Sequence, residues 1–98
     1  MTATQLDGKT VRDVLLQLLK GPNVEPREDW VAVRAVRGPG AWSGTYVVVI
    51  GYPAAKVALW PVLDRVTGGK QGTSSKVGIW VLTESEARML CERHPVQN

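Results

Sequence analysis

Thr45-Tyr46-Val47-Val48-Val49-Ile50-Gly51-Tyr52 is the stretch that decides the fold. Tyr46 to Ile50 are all β-branched or aromatic, which suits a pleated backbone and disfavours a helix. Apolar side chains fall on both faces, so the segment is expected in the middle of a sheet, not at its edge. Upstream, Gly38-Pro39-Gly40-Ala41-Trp42-Ser43-Gly44 is a turn signal, with three glycines and a proline that break a ladder. Before that turn, Trp30 to Arg37 alternates: Val31, Val33 and Ala35 on one side, Trp30, Ala32, Arg34 and Val36 on the other. Two strands this close in sequence predict an antiparallel hairpin.

Working outward, Val11, Val14, Leu15, Leu18 and Leu19 recur at helical spacing and predict a helix from Thr10 to Lys20. Thr10 and Asp13 have capping-box spacing, and Gly21-Pro22 is expected to stop the helix through a left-handed glycine. After the central strand, Ala55, Leu59, Val62, Leu63 and Val66 again follow a helical period from Pro53 to Val66. Pro61 lies inside that period, where it removes a hydrogen bond at a cost of ~3 kcal/mol, so either one kinked helix or two short pieces is expected. Thr67 to Ser75 reads as a Gly/Ser/Thr loop, and Lys76 to Leu82 as a buried strand. Thr83-Glu84-Ser85-Glu86 has the spacing of a capping box opening a last helix to Arg93, with Ala87, Leu90 and Cys91 toward the core.

The order is therefore α-β-β-α-β-α: a small α+β domain with a three-stranded, mainly antiparallel sheet and helices packed on one face. Its 98 residues suit a single domain, 1–98, with 1–8 and 95–98 expected to be loosely ordered. The longest apolar run falls far short of the ~20 residues that cross a bilayer, and residues 1–7 lack a secretory pattern. The expectation is a soluble, cytoplasmic protein with no membrane association.

Function is sparsely written. Cys91 is the lone cysteine and His94 the lone histidine, too few for a metal site built on thiolate or imidazole ligands. Cys91 at an apolar helical position reads as a small packing residue, and His94 as a helix-end residue favoured by the negative C-terminal dipole. The hydroxyls of Thr10, Ser43, Thr67, Thr73, Ser74 and Ser75 have no neighbouring histidine to activate them. No catalytic residue, metal or cofactor is expected.

The charge is unevenly spread. Residues 30–83 hold Arg34, Arg37, Lys56, Arg65, Lys70 and Lys76 against Asp64 alone, while both ends are slightly acidic. Trp42, Trp60 and Trp80 are interleaved with these cations. Trp and Arg are over-represented where partners bind, and a basic surface selects an acidic one. The expectation is a non-catalytic interaction module (an adaptor, inhibitor or regulatory subunit) that meets an acidic protein partner through Arg34, Arg37, Trp42 and Lys70 on a basic, Trp-bearing sheet face. The alternative is weak DNA or RNA binding by the same face, and the third reading is an enzyme with an unrecognised site. Gly69, Lys70, Gly72 and Lys76 are candidates for an anion-holding loop, since glycine amides can form a nest, although the spacing is not that of a phosphate-binding P-loop. An exposed strand edge could also support a homodimer.

Overall fold

The computed structural model describes residues 6–36, 44–51, 53–69, 72–73 and 76–96, with the side chains of Val36, Pro53 and Thr73 left aside. Its elements run α1 (Gly8–Leu19), a 3-10 turn (Glu28–Trp30), β1 (Val31–Val36), β2 (Thr45–Ile50), α2 (Pro53–Thr67), β3 (Gly72–Thr73), β4 (Gly78–Leu82) and α3 (Glu84–Arg93). The strands form one antiparallel sheet in the order β1-β2-β4-β3. The three long strands and three helices are those the sequence predicts. The two-residue β3 is an addition inside the expected Thr67–Ser75 loop, held only by pairing Gly72 with Ile79 and Thr73 with Gly78.

β2 lies between β1 and β4, as its apolar pattern requires. Residues directly opposite one another share a face. Val31, Val33 and Ala35 stand opposite Ile50, Val48 and Tyr46, and Tyr46, Val48 and Ile50 stand opposite Leu82, Trp80 and Gly78. This is the core face. Val48, Ile50, Trp80 and Leu82 are wholly buried there beneath Val11, Val14 and Leu15 of α1, Ala55, Leu59 and Leu63 of α2, and Ala87 and Leu90 of α3.

Local chemistry explains most boundaries. α3 starts on the expected capping box: the Glu86 amide donates to Thr83 Oγ1 at 3.2 Å, and the Thr83 amide donates to Glu86 Oε1 at 2.9 Å. α1 starts earlier than its stripe suggests, because Asp7 is the cap: its Oδ1 accepts from both the amide and the hydroxyl of Thr10 at 2.8 Å. Thr10 is thus inside the helix. At the other end Lys20 turns extended, with its amide on the Gln17 carbonyl at 3.1 Å, and Gly21 does not take up the left-handed cap. Of the two forms open to residues 53–66, the single helix is found, with Pro61 inside it. Pro61 and Val57 both face water, so the carbonyl that Pro61 leaves without an amide donor is on the solvated side. The helix ends at Gly68, φ +81°, whose amide closes on the Asp64 carbonyl at 2.8 Å.

Gly78 is required by packing. A Cβ there would lie 2.7 Å from Trp60 Cζ2 and Trp80 Cη2. The two indoles meet edge to face with centroids 5.3 Å apart, and Trp80 Nε1 donates to Asp64 Oδ1 at 2.7 Å. α2 is thereby tied to β4 by stacking and by one charge-assisted hydrogen bond. Two more bonds tie the ends of the described chain: Tyr46 Oη donates to the Leu6 carbonyl at 2.6 Å, and Gln17 Nε2 to the Pro95 carbonyl at 2.8 Å.

Candidate functional site

The other face of the sheet carries Ala32 and Arg34 from β1, Val47 and Val49 from β2, and Ile79 and Val81 from β4. Val47, Val49, Ile79 and Val81 are half-buried, yet none packs against the core cluster. They shield one another across the strands, and no described helix lies over them. Ala32 and Arg34 are exposed. A depression of ≈ 340 Å³ runs along the β1–β2 side of this face, lined by Ala32, Arg34, Val47 and Val49, with Val33 between them on β1. Arg34 is the only charged side chain among the described residues of the face, which includes no carboxylate.

Of the residues singled out from the sequence, Arg34 is on this open face. Arg37, Trp42 and Lys70 lie outside the described residues. The tryptophans that are described belong to the helix side: Trp80 is wholly buried, Trp30 nearly so, and Trp60 partly. Trp30 had been expected on the Arg34 side by alternation. It instead ends a 3-10 turn, which breaks the two-residue period just before β1 begins. Lys56 lies over the Trp60 ring, 5.4 Å from its centroid. In the glycine loop, Gly69 donates its amide to Thr67 Oγ1 at 3.3 Å, Gly72 is in β3, and Lys76 is exposed at the entry to β4.

The sequence reading missed Val47, Val49, Ile79 and Val81 as surface residues, because an aliphatic side chain looks the same in sequence whether a helix or water lies over it. One signal was available. Three helices on one face of a three-stranded sheet leave the other face uncovered.

Titration behaviour at the remaining chemistry-bearing groups is simple. Burial pushes the Cys91 thiol up from its usual range, opposite to the shift that makes a thiolate nucleophile. The Asp7 carboxyl is held below its usual value by its hydrogen bonds from Thr10. Among the described residues, no three His, Cys, Asp or Glu side chains cluster to hold a metal ion, and no helix is long and apolar enough to cross a membrane. Comparisons of the chain with protein-family models, curated proteins and solved structures find no match.

Proposed function

We propose that this protein is a non-catalytic interaction module whose open sheet face docks an apolar, carboxylate-bearing surface of another protein. The observation that carries the reading is the pairing of four half-buried aliphatics with one exposed cation on a face without acid among its described residues. Covering the remaining apolar surface of Val47, Val49, Ile79 and Val81 would gain on the order of 1 kcal/mol for each side chain. Arg34 sets the partner's chemistry. A guanidinium taken out of water needs a carboxylate, and a charge-assisted hydrogen bond of that kind contributes about 1.5–3 kcal/mol. A cytoplasmic setting fits the single cysteine, which needs no oxidising compartment.

Weak nucleic-acid binding on the same face is less well supported. Bases stack on rings, and no described side chain of this face is aromatic. The two readings separate in one experiment. Proteins captured by the wild-type chain are compared with those captured by Arg34→Glu and by Ile79→Asp, with melting temperature as the control for folding. An acidic partner lost by both folded variants supports the proposal. A partner retained by both removes it, and a mobility shift with nucleic acid that weakens steeply with salt would put the alternative in its place.

A further inference from the structure

The open face offers an incoming chain side chains and no free backbone. β2 is paired with β1 on one side and with β4 on the other, and β4 is paired in turn with β3 at Gly78 and Ile79. The amides and carbonyls of these ladders lie in the plane of the sheet and are satisfied by one another. A segment laid over Val47, Val49, Ile79 and Val81 therefore gains no main-chain hydrogen bond from the surface that buries it. Its own amides and carbonyls must already be paired, because a buried one left bare is costly. A lone extended strand fails this condition. An α-helix meets it within itself, and so does the face of another sheet. The shape of the patch decides between those two. Residues directly opposite one another make two rows, with Ala32, Val49, Ile79 and Gly72 in one and Arg34, Val47 and Val81 in the other. Bulk stands over β2 and β4 alone, because the first row falls away to alanine at one end and to glycine at the other. A ridge two strands wide, about 5 Å between strand axes, supports one rod about 10 Å across. A second sheet would need apolar bulk over β1 as well, where Ala32 and the charged Arg34 stand exposed instead.

We propose that the occupant of this face is an amphipathic α-helix of a partner protein, lying along β2 and β4 with its apolar stripe on Val47, Val49, Ile79 and Val81 and a glutamate or aspartate on the flank that faces β1. This rests on the reading of the face as a site for an acidic protein and adds the backbone form of that protein. The spacing fits. The two rows are two strand residues apart, about 7 Å, and helix residues four apart rise about 6 Å, so successive members of the stripe meet the rows in turn. The charge fits on one flank only. Arg34 stands beside Val47 on the β1 side, and it borders the depression of ≈ 340 Å³ that Ala32 leaves next to Val49. A flanking side chain that enters this depression brings its carboxylate to the guanidinium, with no competing acid among the described residues of the face. The sheet then carries helices on both sides, its own on one and the partner's on the other, which is a standard layered arrangement.

Three synthetic peptides, titrated into the full chain while its methyl resonances are followed, test this. The first is a helix of about four turns, with leucine at every third or fourth position, glutamate on both flanks and a side-chain bridge on the outer face to hold the helix. The second replaces each glutamate with lysine. The third has the leucines and glutamates of the first in strict alternation, so that it is patterned as a strand. The glutamate helix is expected to bind with a Kd below about 1 mM and to shift the methyls of Val47, Val49, Ile79 and Val81. The lysine helix should bind about tenfold more weakly, and Arg34→Glu, a change at an exposed position, should invert that preference. The proposal is overturned if neither helix moves those methyls, or if the alternating peptide moves them at the same concentration as the glutamate helix. Should either occur while Arg34→Glu and Ile79→Asp still lose a captured acidic partner, the helical form alone falls. If Arg34→Glu alters neither the peptide preference nor the capture, the acidic-partner reading falls with it.

Discussion

Val48 and Val49 are adjacent in sequence, identical in chemistry and flanked by the same kinds of residue, yet they belong to two different environments. Val48 is wholly buried beneath the helices, and Val49 stands half-buried on the open face. The same contrast separates Trp80 from Val81 one strand over. Strand alternation assigns neighbours to opposite faces, but it does not say which face will be covered. One face of this sheet is therefore devoted to stability. The other leaves half-buried aliphatic surface that no described helix covers.

The largest expected effect breaks the covered face. Trp80→Ala removes the indole that fills the space between β4 and α2 and leaves Asp64 without its indole donor, and should cost about 3–5 kcal/mol in urea unfolding. Val81→Ala, next to it on the open face, should cost roughly 1 kcal/mol or less. Comparable losses at the two positions would show that the open face is packed in solution.

A finer comparison uses a nearly isosteric change. Val48→Thr buries a hydroxyl among aliphatic side chains and should cost about 1–3 kcal/mol, whereas Val49→Thr leaves its hydroxyl near water and should stay within about 0.5 kcal/mol. The smallest effect concerns the boundary of the core at Tyr46. Burial raises its phenol above the usual 10.0, and its hydroxyl donates to the Leu6 carbonyl. Below pH 10 the proton is bound in both folded and unfolded chains, so the contribution is complete. As pH climbs past 10 the unfolded chain ionises first, and stability falls until the folded group ionises as well. Unfolding followed between about pH 8 and pH 11 should show a steeper alkaline loss in the wild type than in Tyr46→Phe. Equal slopes would mean that Tyr46 is not enclosed.

How far the sequence reaches depends on how local the cause is. The Thr83–Glu86 capping box, the Val11–Leu19 stripe and the β-formers of Tyr46–Ile50 were legible because each acts within a few residues. Asp7 was missed as the cap of α1 since the apolar period begins only at Val11, a full turn later. β3 was illegible: two residues have no propensity of their own and become a strand only because β4 offers them partners. Arg34 was legible as a surface residue by alternation, and Trp30 was misplaced because a 3-10 turn interrupts that alternation. Gly78 owes its role to Trp80, two residues along its own strand, and to Trp60 on α2, and the second of these gives no local sign in the sequence.

The amino-acid sequence by itself determined where the helices and long strands form, their order, and which residues are apolar enough to be buried. Periodicity, caps and turn residues act over one or two turns of chain, so they are written in the chain. That the helices share one side of the sheet was also expected from the sequence; only the tertiary structure decided which side that is, so that among the described residues Val47, Val49, Ile79 and Val81 are left facing outward. That outcome depends on how elements far apart in sequence pack, and no short stretch of residues encodes it.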